Sequence, residues 1–235
     1  MKFSPALQPG LLIRRYKRFL ADVELPSSAI VTLHCPNTGS MKNCAEPGSR
    51  VWFSHSTQAS RKYPCTWELI EMHQSFIGIN THRANALVKE ALQNNLIIEL
   101  MEYDEIRAEV MIAEQKTRID FQLSAVGKPV CWVEVKSVTL NIGQGIGLFP
   151  DAKTARGIKH LEFLISRVQQ GERAVLFFCV QHTGIQSVAP ADDLDPAYGK
   201  MLRCAANVGV EILAYGASIS PETIYLEKSL PVNLL

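Results

Sequence analysis

Apolar and polar positions alternate in short runs through the first third of the chain and change to a longer period after it. Up to about residue 80 the apolar segments 11–25, 30–35, 50–54 and 64–73 are separated by Leu25-Pro26-Ser27-Ser28, Cys35-Pro36-Asn37-Thr38-Gly39-Ser40 and Glu46-Pro47-Gly48. The Pro, Gly, Asn and Ser residues of these breaks supply the backbone angles that turns require. Short strands at that spacing predict a small β-barrel. From Thr81 to about Asn95 the period becomes helical, with Leu87, Ala91 and Leu92 on one stripe and Asn80 or Thr81 available as N-cap. Segments 106–112, 118–123 and 130–138 then read as three successive strands, a meander. Segments 151–170 and 195–207 read as helices, and 174–180 and 211–215 as strands apolar enough to be buried. The expected fold is mixed α/β: a β-barrel over residues 1–80, then an α/β domain over residues 81–235.

Composition narrows the picture only a little. Hydrophobic residues make up 47% and charged residues 20% of the 235, which excludes extended disorder and leaves room for one large domain or two small ones. No stretch has the length and apolarity of a signal peptide or a membrane span, so a cytoplasmic protein with no membrane partner is expected. The six cysteines contain no C-x-x-C pair, which argues against a disulfide framework or a zinc knuckle and for reduced, buried thiols. The net charge of +1 is unevenly spread. Residues 1–80 hold nine Lys/Arg against five Asp/Glu, or +4, and residues 81–235 hold fifteen against eighteen, or −3. A basic first third before an acidic remainder suits a nucleic-acid grip joined to a carboxylate-bearing, metal-binding part.

The chemistry concentrates on the second hairpin of the meander. If the turn Ser124-Ala125-Val126-Gly127-Lys128-Pro129 is centred on Gly127, Asp120 faces Glu134 and Arg118 faces Lys136. A side-chain period of two then puts all four on one face, with Phe121, Val133 and Val135 on the other. Opposed carboxylates stand ~5 Å apart and repel by ~3 kcal/mol at an effective dielectric of 20. A divalent cation held by Asp120, Glu134 and the Val135 carbonyl offsets that repulsion with hard oxygen ligands suited to Mg²⁺, or Mn²⁺ in its place. Lys136 would then orient or deprotonate the attacking water. The alternative from spacing alone is a solvated lattice in which Arg118 and Lys136 neutralise the acids diagonally.

Other positions suit contact with a polyanion. Arg156, Lys159 and His160 share one face of the helix that follows the site, where they would hold a phosphate backbone or form a solvated face. Arg14, Arg15, Lys17 and Arg18 stand near Tyr16 and Phe19, and Arg61 and Lys62 beside Tyr63 and Trp67. Such interleaving suits base stacking and phosphate tracking, with Trp52 and Trp67 expected in the core. Asn37, Thr38 and Ser40 can hold a phosphate or make a tight turn. The glycines of Asn141-Ile142-Gly143-Gln144-Gly145-Ile146-Gly147 lack the lysine of a phosphate loop, so this segment is expected as a flexible loop beside the cleft.

Several segments together resemble a known family: Cys35-Pro36-Asn37-Thr38-Gly39-Ser40-Met41, Asn85-Ala86-Leu87-Val88-Lys89-Glu90, Tyr103-Asp104-Glu105-Ile106, Arg118-Ile119-Asp120-Phe121, Glu134-Val135-Lys136-Ser137-Val138-Thr139, Phe149-Pro150-Asp151-Ala152 and Thr154-Ala155-Arg156-Gly157-Ile158-Lys159-His160-Leu161. Nearly the whole chain is similar to the bacterial and archaeal sugar fermentation stimulation protein A family. The resemblance implies an OB-fold domain, then a PD-(D/E)xK nuclease-like (restriction-endonuclease-like) domain, and non-specific DNA binding. It assigns Asp120 as the motif aspartate, Glu134 as the second acid, Lys136 as the lysine and Glu90 as the acid of the preceding helix. Ile119 stands where the motif has proline. Two functions follow as expectations: a Mg²⁺-dependent nuclease acting on DNA and possibly RNA, or a DNA-binding regulator of sugar (maltose) metabolism genes whose nuclease-like domain is inactive. A homodimer is compatible with either.

Overall fold

In a computed structural model, which describes residues 1–56, 58, 60–112 and 117–235, the first third of the chain closes into a barrel. Its strands are β1 (Gln8–Tyr16), β2 (Leu20–Glu24), β3 (Ile30–His34), β4 (Arg50–His55) and β5 (Cys65–Met72), with β6 (Ser75–Gly78) added beside β5. The order β3-β2-β1-β4-β5 is closed by a pairing of β3 with β5, giving the expected OB-like barrel. Leu12, Val23, Leu33, Val51, Phe53, Trp67 and Ile70 fill it. Trp52 differs from Trp67 in being partly buried, and it packs against the cluster that Leu7 and Leu69 share with α1 and the second domain.

Segment 11–25, expected as one apolar run, folds back on itself. Lys17 (φ 50°) and Arg18 (φ 66°) take left-handed backbone angles between β1 and β2. His73 (φ 48°) and Gln74 (φ 63°) do the same between β5 and β6. Neither pair contains the Gly or Asn that normally marks such a turn. The strand pairing imposes the angles against local preference.

The remainder is built from α1 (Arg83–Gln93), β7 (Glu105–Ile112), β8 (Thr117–Ser124), β9 (Cys131–Val138), β10 (Leu140–Asn141), β11 (Ile146–Phe149), α2 (Ala155–Gln169), β12 (Arg173–Val180), β13 (Ser187–Pro190), α3 (Pro196–Val208), β14 (Glu211–Ile219) and β15 (Ile224–Ser229). Six strands form the main sheet in the order β15-β14-β12-β9-β8-β7. Its centre, β9, β12 and β14, is parallel, and both faces are covered, which is why β12 reads as an unbroken apolar run. Val133, Val135, Val175 and Phe177 point toward α1. Trp132, Leu176, Phe178 and Val180 point toward α2 and α3.

Segment 141–147 is a hairpin rather than a loop. Gly143 (φ 97°), Gln144 (φ 54°) and Gly145 (φ 73°) turn β10 into β11, and β11 pairs in parallel with β13. The glycines serve the turn, and pairing to β13 is a long-range contact that local patterning does not display.

Of the caps expected for α1, Thr81 is used elsewhere and Asn80 is shared. Thr81 Oγ1 donates to the Pro36 carbonyl at 3.1 Å, and Asn80 accepts the His82 N–H at 3.2 Å through Oδ1 while its Nδ2 donates to Glu68 at 2.9 Å. Glu68 is 2% exposed and also accepts from Ser54 Oγ at 2.8 Å and from Arg83 Nε and Nη2 at 3.0 and 2.9 Å. A buried carboxylate with four donors fixes the start of α1 on the barrel. α2 and α3 are capped in the ordinary way by Thr154 and Asp195, which accept from Gly157 N and Tyr198 N. Five of the six cysteines are buried and all six are free. Among the described residues no helix is long and apolar enough to cross a membrane.

Candidate active site

β8 and β9 pair in the register centred on Gly127: Phe121 with Val133, Gln122 with Trp132, Leu123 with Cys131. The ladder ends there, and at the next pair, Asp120 and Glu134, the strands part. On the other side of β8 the ladder with β7 also skips this level, where Glu109 (φ 54°) faces Asp120. In an unbroken strand Ile119 and Phe121 would share a face. Here Phe121 joins the core under α1 while Ile119 joins the core under α2 and α3. Asp120 therefore sits at a kink, with its carboxylate in the gap between β8 and β9.

Its oxygens are both engaged. Oδ2 accepts the Val135 backbone N–H at 2.7 Å, and Oδ1 accepts Asn85 Nδ2 from α1 at 2.7 Å. Across the gap Glu134 is 2% exposed. Its Oε1 accepts Lys136 Nζ at 2.6 Å and is bonded by His160 Nδ1 from α2. His160 Nε2 accepts Arg156 Nε at 3.3 Å, which leaves the ring proton on Nδ1, aimed at Glu134. Glu134 Oε2 is buried and has no hydrogen-bond partner among the described residues.

Burial, and next the charge of Glu134, push the Asp120 carboxyl up to about 6. Burial also pushes Glu134 up, but its bonds and charge interactions with His160 and Lys136 outweigh that and hold it below the usual carboxylate range. The two acids are thus driven apart by their surroundings.

An oxygen-seeking cation fits these donors. Glu134 offers an orphaned buried oxygen, whose desolvation otherwise goes uncompensated. The Val135 carbonyl lies on the same edge of β9 as its N–H, where β8 has moved away. Among the described residues no three His, Cys, Asp or Glu side chains converge to enclose a metal, so protein groups alone would not complete a coordination shell.

Several expected residues stand elsewhere or differently. Glu90 binds the Met1 ammonium at 2.8 Å rather than facing Asp120, because five residues along a helix turn the side chain about 140° away from Asn85. Arg118 meets Glu109 at 3.5 Å and not the two acids. His160 is 2% exposed and belongs to the site, while Arg156 and Lys159 stay exposed and line, with Arg118 and Thr117, an open groove of about 500 Å³. Arg15 is committed to the carbonyls of Arg18, Asn37 and Gly39, and Arg18 to that of Thr38. Asn37 Oδ1 accepts from Gly39 N, and Ser40 N donates to Asp151 at 2.8 Å, so an acid of the second domain already fills the amide expected for a phosphate. Arg14 binds Asp22 at 2.9 Å and stacks on Tyr16. Lys17 is exposed at the β1–β2 turn, Arg61 reaches Thr66, and Lys62 lies over Tyr63. A cleft of about 330 Å³ joins Arg18, Asn37 and Thr38 to Ser137 and Thr139, just past Lys136. Sequence reading missed Asn85, which stands in the first turn of α1 and has no distinguishing local signal.

A family described as the sugar fermentation stimulation protein RE domain matches residues 82–223, and one described as the SfsA N-terminal OB domain matches residues 13–79. A sugar fermentation stimulation protein homolog of Shewanella sp. (strain MR-7) is 53% identical over 235 residues, all of both chains. Another, of Pseudoalteromonas atlantica, is 52% identical over 233 residues, 99% of each. The solved structure of Pyrococcus furiosus SfsA, described as a complex with Ca²⁺, superposes with a TM-score of 0.87 at 26% identity, covering 99% of this chain and 98% of that one.

Proposed function

The chain belongs to the sugar fermentation stimulation protein family, and we propose that it binds nucleic acid with little sequence preference and hydrolyses a phosphodiester with Mg²⁺ or Mn²⁺. The observation that carries this reading is the partnerless, buried Glu134 Oε2 beside an Asp120 whose carboxyl is raised to about 6. Asp120, Glu134 and the Val135 carbonyl would hold the cation. The Pyrococcus furiosus relative is described in complex with Ca²⁺, a hard cation that takes oxygen ligands, which supports a divalent-cation reading. When bound, the cation supplies positive charge opposite the phosphate and makes water more acidic.

The protein's own groups do the positioning. Asn85 and the Val135 N–H aim Asp120, and His160 and Lys136 pin Glu134 Oε1 so that Oε2 stays free. The Lys136 ammonium, held by Glu134 Oε1, is placed to orient a water. Arg156 and Lys159 on the groove lip, and Lys17, Arg61 and Lys62 on the barrel, would track phosphates without reading bases. Arg14, Arg15 and Arg18, with Asn37, Thr38 and Ser40, would join them once their internal partners are released. Both DNA and RNA carry the required backbone.

One observation favours a second reading. Lys136 already pairs with Glu134, and Glu109 with Arg118, so part of the site's charge is balanced from within, as suits a DNA-binding regulator of sugar metabolism that no longer cuts. Incubation with Mg²⁺ or Mn²⁺ and single- or double-stranded substrates, beside Asp120→Ala, separates the two. Cleavage by the parent protein alone supports the nuclease. Metal-independent, salt-sensitive binding without cleavage in either sample supports the regulator.

A further inference from the structure

Helix α1 enters the site through one side chain. Asn85 Nδ2 donates to Asp120 Oδ1 at 2.7 Å and lies 3.3 Å from Glu109 Oε1. The amide therefore spans the two residues at the kink, Glu109 on β7 and Asp120 on β8, at the level where both ladders are interrupted. A side-chain NH₂ has two hydrogens to give and can satisfy both carboxylates together. An acid in its place would set a third negative charge against two. Two residues earlier on the same helix, Arg83 is locked to the buried Glu68 of the barrel, so the position of Asn85 is fixed by the docking of the two domains.

We infer that Asn85 is the positioning residue through which α1 aims Asp120: it holds Oδ1 so that Oδ2 stays on the Val135 N–H and the carboxylate stays turned toward Glu134. This rests on the metal-site reading above for its consequence, but the aiming itself needs no metal. Removing a group that orients a ligating carboxylate lowers metal affinity by about 10–100-fold. Glu90, paired with the N-terminal ammonium, should have no such effect.

The test uses the full chain as parent protein, Asn85→Ala, Asn85→Asp and Glu90→Gln. Alanine favours helix and leaves α1 intact, and aspartate keeps the shape without the donor. The first readout is hydrogen exchange of the Val135 amide with no divalent cation present. Exchange about 10-fold faster or more in both Asn85 variants, and within about 2-fold of the parent in Glu90→Gln, is the expected result. Unchanged Val135 exchange in the Asn85 variants, or equal acceleration in Glu90→Gln, overturns the inference. The second readout is Mn²⁺ titration, with affinity expected to fall about 10–100-fold in Asn85→Ala and to hold in Glu90→Gln. Mn²⁺ binding by the parent with the same affinity in Asn85→Ala also overturns it. If Val135 protection depends on Asn85 while the parent takes up no Mn²⁺, the aiming stands and the metal reading fails.

Discussion

Lys136 holds Glu134, two places before it on the same strand, at 2.6 Å, and leaves Asp120 across the gap to a backbone amide and a neutral side chain. The pairing is along the strand and not diagonal, and it makes the two carboxylates chemically unequal. The Lys136 ammonium helps keep Glu134 ionised, while the half-buried Asp120 faces that negative charge from between two neutral donors.

The inequality has a pH signature. The Asp120 carboxyl is raised from 3.8 to about 6, so between those values the folded protein holds a proton that the unfolded chain has lost. Its contribution to stability is full below about pH 4 and is lost as pH rises through 6, a change of about 3 kcal/mol at ~1.4 kcal/mol per pH unit. Asp120→Asn lacks this titration, so in urea unfolding without divalent cation its stability relative to the parent is expected to rise by about 2–3 kcal/mol between pH 4 and pH 7.5. Added Mn²⁺ should narrow the gap by stabilising only the parent.

Much of this was legible in the sequence, and the misses share a cause. The hairpin register about Gly127, the barrel and the partnership of Asp120 with Glu134 follow from period-two alternation and turn chemistry, which are local. The turn at Lys17 and Arg18, the kink at Glu109 and Asp120, and the β11–β13 pairing are imposed by strands distant in sequence, so no local residue preference announces them. Glu90 shows the same limit within the site. Its residue type suits a ligand, but the angle around α1 decides, and that angle is set where Arg83 meets Glu68.

Loss of that clamp should be severe. Glu68→Leu leaves the half-buried Arg83 guanidinium, Asn80 and Ser54 without their acceptor, and breaking a buried pair by removing one partner costs about 3–5 kcal/mol. Chemical denaturation of Glu68→Leu beside Glu68→Gln, which keeps an acceptor, measures it. The larger loss should fall on leucine.

Gly157→Ala is expected to reverse the usual sign. In a helix interior alanine normally stabilises over glycine by about 1 kcal/mol. Here an added Cβ would stand 2.7 Å from Thr154 Cγ2 and 2.9 Å from Tyr198 Cε2, forcing α2 away from α3. A destabilisation of about 1–3 kcal/mol in thermal or urea unfolding is expected, with His160, one turn along, moved off Glu134.

Lys159 is exposed on the groove lip with no ion pair among the described residues. If it meets a phosphate, Lys159→Ala should lower affinity for duplexes of unrelated sequence equally and reduce the slope of log affinity against log salt by about 0.9. Filter binding across a salt series reads both quantities.

The site itself can be tested without turnover. Crystals of the protein grown with Mn²⁺ and measured at the manganese edge should show one anomalous peak touching Asp120, Glu134 Oε2 and the Val135 carbonyl oxygen, and none there in Asp120→Ala. A gap between Asp120 and Glu134 with no peak at saturating Mn²⁺, and Glu134 Oε2 still without a partner, would contradict the account.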